Sequence, residues 1–201
     1  MWLVLTACSP PTPAVDALLE PLEPENLAPT LGDAPLVLRS GYDEDAERYW
    51  THARIGLDAD LPAIWDALGE LDVMADRRAV ERYSLTASDH REGFDRSYAI
   101  DNRVQDLVAI QFELTWLHQV LEGDATPTWA LARWDKTGGT PFIGLLSGSV
   151  ELMQEEPGRT ELSCISHLRA TGRDATGMEQ YWQDLRADLE AQVSGEPLPV
   201  Y

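Results

Sequence analysis

The sequence predicts an α+β domain, on three observations. An amphipathic helix closes the chain, period-two segments fill its middle, and a strand leading straight into a short helix comes before them. A helix of that final length is marginal alone in water, so its apolar stripe must be buried against the sheet that the middle segments form.

Taken in order, Arg48–Leu57 reads as the first strand, with Tyr49, Thr51, Ala53, Ile55 and Leu57 alternating against Arg48, Trp50, His52 and Arg54. DADLPAIWDALGELDV follows. Asp60 is placed to cap a helix, Pro62 sits where a missing amide costs nothing, and Leu61, Ile64, Trp65, Leu68 and Leu71 keep helical spacing. From Val80 to Ala170 the period changes to two. Candidate strands are Val80–Ala87, Phe94–Ile100, Leu107–Leu121, Thr128–Lys136, Ile143–Gln154 and Thr160–Ala170, separated by turns rich in Gly and Pro. The polar run AIDNRVQD, with Asp101 and Arg103, reads as one of these turns, and Pro157-Gly158 as another. On the long Leu107–Leu121 strand, Val108, Ile110, Phe112, Leu114, Trp116 and His118 share a face, and Glu113 falls on the other. The closing helix begins at a capping box, Thr176 with Glu179. Met178, Tyr181, Trp182, Leu185, Leu189 and Val193 make its stripe, and Gly195 followed by Pro197 ends it.

This order of elements resembles the START-like superfamily, also called SRPBCC or helix-grip, which includes polyketide cyclase/dehydrase-like proteins. The residues carrying the resemblance are ARIGLDADLPAIWDALGEL, similar to that family's opening strand and helix, and GMEQYWQDLRADLEAQVSG, similar to its closing helix. The resemblance spans roughly Glu47 to Gly195. It implies a curved antiparallel sheet of about six or seven strands wrapped around a long C-terminal helix, with a cavity between them for an apolar ligand. It implies no catalytic residue, because the superfamily shares none.

Composition sets the limits on function. The chain has 201 residues with 35 acidic against 15 basic side chains, a net charge of −20. That balance disfavours nucleic acid and electrostatic docking on anionic lipid. Two cysteines, Cys8 and Cys164, exclude a disulfide framework and a cysteine-based zinc site. No metal-binding motif joins His52, His90, His118 and His167, and nothing implies a cofactor. His118 and His167, both in strands, could meet across the sheet or face solvent. GLLSGS (144–149) lacks the GxSxG and phosphate-loop patterns, so its small residues are expected to bend a strand or admit a close approach. Cys164 reads as a buried apolar residue.

Upstream, LTAC (5–8) resembles the bacterial lipoprotein lipobox, with an apolar run before it and Cys8 as the first cysteine. The resemblance implies diacylation of Cys8, cleavage before it, and, since Ser9 is not Asp, passage to the periplasmic face of the outer membrane. Only seven residues precede Cys8 and none is basic, which implies a true start further upstream. The alternative is an accidental match at a frayed N-terminus. Residues 9–46 carry seven of the 13 prolines and a single cation, Arg39, as an acidic tether would, with room for a short helix at Val15–Leu22 or a strand at Leu36–Leu38. The expected organisation is therefore a signal remnant (1–8), a tether (9–46), a START-like domain (47–196) and a tail (197–201). Its expected ligand is a hydrophobic small molecule or lipid, held by Phe112, Trp116, His118, Trp129, Tyr181, Trp182 and Leu185. The alternatives are a cyclase/dehydratase-like enzyme using His118, His167 or a cavity carboxylate, and a ligand-free domain that binds another envelope protein.

Overall fold

The computed structural model describes residues 18–23, 31–87, 91–105, 109–123 and 126–201. Cys8 and His90 lie outside the described residues. Among the described residues, eight strands and three helices follow one another as β1 (Leu36–Asp43), β2 (Arg48–Leu57), α1 (Leu61–Ala67), α2 (Leu71–Met74), β3 (Arg82–Ala87), β4 (Arg96–Gln105), β5 (Ala109–Glu122), β6 (Trp129–Gly139), β7 (Ile143–Glu156), β8 (Arg159–Ala170) and α3 (Thr176–Ser194). They form one antiparallel sheet in the order β1-β2-β8-β7-β6-β5-β4-β3. The α1–α2 segment carries the chain from β2 to β3 at the far edge of the sheet, and from there each strand pairs with the next until β8 lies against β2. The α+β helix-grip architecture is as the sequence predicts.

Two expectations change at the amino end. The sheet has eight strands rather than six or seven, because β1 falls inside the segment expected to be a tether. Leu36 to Asp43 pair residue for residue with Ile55 to Arg48, so the folded body begins at least eleven residues before Glu47. The strand allowed for at Leu36–Leu38 is its start; the polar composition beyond concealed its continuation to Asp43, where β2 supplies the backbone hydrogen bonds whatever the local propensity. Residues 18–23 are irregular rather than helical, yet Leu18, Glu20 and Glu23 are buried. At the other end, β4 continues past Ile100 through Asp101 and Arg103, whose polarity suggests a turn. Asp101 lies on the outward face, accepting from Gln111 Nε2, and Asn102 faces inward.

The helix starts also differ from their predicted chemistry. Asp60 is the N-cap of α1, but its carboxylate accepts from Gln154 Nε2 and Gly158 N on the β7–β8 hairpin instead of capping. Thr176 is the first residue of α3 rather than its cap, and Glu179 accepts from Ser40 on β1; the capping box is not formed. Asp174 takes that place, accepting from Thr176 N at 2.9 Å. Gly195 ends α3 at φ +70°, as predicted, with Glu196 N closing on Ala191 O.

The core fills the concave side, where Ala53, Ile55, Val150, Leu152, Leu162 and Cys164 of the central strands meet α1 and the stripe Trp182, Leu185 and Leu189 of α3. Cys164 is fully buried and free, and burial pushes its thiol up, so it packs as an apolar residue.

Candidate functional site

Parity along the strands decides which side chains reach the space under α3. On β5, Phe112, Leu114 and Trp116 point inward, on β4 Ile100, Asn102 and Val104, and on β8 Ser166 and Leu168. Where α3 and the Ala75–Val80 loop stand off the sheet, these residues enclose a cavity of about 550 Å³. Its roof is Met74, the 75–80 loop, Met178 and Tyr181. Its mouth lies at the end of the sheet where the β6–β7 turn and the β8–α3 loop meet, between Phe142 and Arg173. Phe142 is 42% exposed there. The volume suits a small organic molecule, and the walls are mainly apolar.

Aromatic packing closes the inner end. Trp116 stacks on Trp134 with centroids 4.7 Å apart, and Trp134 meets Trp182 at 5.7 Å and Tyr181 at 6.5 Å. Trp134 has room because residue 148, its partner on β7, is glycine: a Cβ there would lie 2.0 Å from the indole. The small residues of GLLSGS therefore serve a side chain's close approach. Ser166 Oγ donates to Met178 Sδ and accepts from Trp182 Nε1. Tyr181 donates to Met74 O, and burial drives its hydroxyl pKa far up, so it stays protonated.

Phe112, Trp116 and Tyr181 thus line the cavity, and the other expected ligand residues do not. Trp182 and Leu185 are wholly packed in the core beneath it. Trp129 lies on the convex face, with Nε1 donating to Glu151 at 2.9 Å; it is five residues from Trp134 and so has the opposite parity. His118 is buried under α1 among Trp65, Tyr98 and Trp116, with Nε2 2.6 Å from the Tyr98 hydroxyl. Burial, with Arg96 nearby, pushes its pKa down to about 3. Arg96 covers this end, its guanidinium bonding Trp65 O and Asp66 while resting 5.2 Å above the Trp65 ring.

His118 and His167 do not meet. His167 is on the convex face, fully buried, with Nδ1 2.7 Å from Glu20 and Nε2 2.8 Å from Glu23. Glu23 also reaches His52 at 2.8 Å and Arg48 at 3.1 Å, and Glu20 reaches Arg133 at 3.0 Å and the Ser147 hydroxyl. Burial opposes charge on each group. The hydrogen bonds prevail, raising the His167 pKa and holding both carboxyls below their usual range. The cluster is a strap that fastens residues 18–23 to the back of the sheet, away from the cavity. Among the described residues no group of side chains is arranged to hold a metal ion.

Sequence reasoning missed Asn102, Leu168 and the 75–80 loop. For Asn102 a signal existed: continuing the Tyr98, Ile100 alternation puts it inward, an unusual place for an amide.

No protein-family model matches the chain, and no curated protein does. Solved structures do. Human StAR-related lipid transfer protein 5 superposes with a TM-score of 0.58 at 12% identity, over 81% of this chain and 83% of that one. The human StarD13 (DLC2) lipid transfer and protein localization domain gives 0.56 at 9% identity, over 84% and 87%. TTHA0849 from Thermus thermophilus gives 0.50 at 12%, over 72% and 96%. The chain has the START-like helix-grip fold.

Proposed function

We propose that this protein is a lipid-anchored envelope protein that carries a hydrophobic small molecule or lipid in the cavity under α3. The observation behind this reading is the cavity itself: about 550 Å³ of space between the sheet and α3, with Phe112, Leu114, Trp116 and Leu168 on its walls. Two of the structural relatives are, by name, lipid transfer proteins. The exposed Phe142 at the mouth gives an apolar ligand a first contact on entry. Of the groups that acid–base catalysis would draw on, His118 and His167 are both outside the cavity, and the carboxyl on its lining, Asp76, has no histidine beside it there among the described residues.

Displacement of Nile red from purified protein tests the cavity. Wild-type protein is expected to bind the dye, and Leu114→Trp, which fills the space, to weaken it about tenfold while keeping its circular dichroism spectrum. Equal binding by both proteins, or none by either, overturns the reading.

The anchor is tested separately. Intact mass of membrane-fraction protein should carry a diacyl modification at Cys8, and Cys8→Ala should appear in the soluble fraction. A Cys8→Ala protein that fractionates unchanged removes the anchor and leaves the carrier intact.

A further inference from the structure

We infer that the cavity selects an apolar ligand bearing a hydrogen-bond donor, an alcohol or an amine, over one ending in a carboxylate, and that Asn102 Oδ1 receives the donor. This deepens the carrier reading and rests on it.

The orientation of one amide comes first. Asn102 is 3% exposed and lines the cavity from β4, between Ile100 and Val104. Its Nδ2 donates to Ile100 O at 3.1 Å. Since a carbonyl can only accept, the amide cannot be turned round, and Oδ1 is the atom left for a ligand. Placing a buried carbonyl oxygen on an apolar wall costs stability unless a donor reaches it.

The other polar groups along the walls point the same way. Ser166 has its hydroxyl proton committed to Met178 Sδ, and Tyr181 has its own committed to Met74 O, so each offers only oxygen lone pairs. Trp116 Nε1 is a donor without a hydrogen-bond partner among the described residues, but that atom is buried within the wall and does not reach the cavity surface. Asp76, on the cavity side of the 75–80 loop, is a carboxyl whose pKa burial and the neighbouring Asp184 already push up. A second carboxylate brought beside it would meet further repulsion. At the rim, the Asp174 carboxylate stands at the N-terminus of α3, accepting from Thr176 N, where it repels a second carboxylate. Arg173 beside it is exposed and already engaged. An anion would thus face oxygen lone pairs on the walls and carboxyls at the roof and rim, whereas an alcohol finds an acceptor waiting.

The test is a matched series of probes competing with Nile red on the full protein: dodecanol, dodecylamine, dodecyl methyl ether and dodecanoate. Dodecanol and dodecylamine are expected to compete about tenfold more strongly than the ether, which has the chain without the donor, and more strongly still than dodecanoate. Asn102→Leu should bring dodecanol down to the ether's affinity and leave the ether unchanged. Asn102→Asp, which keeps an acceptor, should retain dodecylamine binding, so the two variants separate loss of the acceptor from general damage. Dodecanoate competing as well as dodecanol, or an alcohol-to-ether ratio that survives Asn102→Leu, overturns this inference while leaving the carrier reading standing. Failure of every probe to compete removes both.

Discussion

Gly148 shows how a single residue can be named from sequence for the wrong reason. Its neighbours suggest a bent strand or a close ligand approach, and the structure gives it a different partner: the Trp134 indole crosses the space its side chain would fill. Gly41 does the same for Trp50 on β1 and β2. Gly148→Ala should therefore destabilise the domain by about 1–3 kcal/mol through overpacking, read as a lower midpoint in urea with an unchanged slope. A midpoint equal to that of wild type would mean that Trp134 has another place to go. Trp129 is the opposite case. Its parity against Trp134 is plain in the sequence, yet an aromatic residue in a central strand invites assignment to the cavity. Parity is the better guide, since successive side chains on a strand must alternate. The capping box fails for a different reason: Thr176 and Glu179 have the right spacing, but Ser40 from a strand 139 residues away in sequence claims the carboxylate. No local pattern reports a competitor of that kind.

At the scale of elements, strands and helices with strong periodicity were legible, and β2 has the bounds its alternation gives. What stayed hidden was structure that depends on partners. β1 runs past Leu38 to Asp43 because β2 accepts it, and residues 18–23 are held because His167, His52, Arg48 and Arg133 stand opposite Glu20 and Glu23. The strap's pH dependence follows from those contacts. His167 has its pKa raised above 6.5, so its contribution is fully present below pH 6.5 and is lost as pH rises through the raised value. Glu20 and Glu23 have theirs lowered below 4.5, so their contribution is present above pH 4.5 and is lost as pH falls through the lowered values. The strap should be tightest between these limits. Hydrogen exchange at the backbone amides of residues 18–23 is expected to be slowest there, relative to the intrinsic rate at each pH, and fastest in alkali and strong acid. His167→Ala should cost about 3 kcal/mol, because two buried carboxylates lose their shared partner. Protection that ignores pH, or that survives His167→Ala, would show that the apolar contacts of Leu18 hold the segment unaided.

Over the whole molecule, the fold could be read from element order and Phe112, Trp116 and Tyr181 from their faces, but the cavity's roof could not, because the 75–80 loop has no periodicity. That loop is positioned from the far end of the chain. Arg77 bonds Asp188 at 2.6 Å and Pro199 O at 2.9 Å, and Arg78 makes a two-point contact with Asp184. Tyr201 lies against both guanidinium groups, 5.0 and 4.7 Å from its ring, while its hydroxyl donates to Asp188 at 2.8 Å. The segment that reads from sequence as a tail is thus packed on α3 and fastens the cavity's roof to it. The same contacts that stabilise the roof must slow its opening, since Ala75, Asp76, Ala79 and Val80 cannot swing away while Arg77 and Arg78 are held. Tyr201→Ala removes the hydroxyl and ring contacts and leaves every cavity residue in place. It should speed Nile red dissociation several-fold in a stopped-flow chase, with association rising to a similar degree and the affinity nearly unchanged. Dissociation as slow as in wild type would mean that ligand passes through the mouth between Phe142 and Arg173 without any movement of the roof. A large loss of affinity would instead mean that Tyr201 shapes the cavity and does not merely hold it shut.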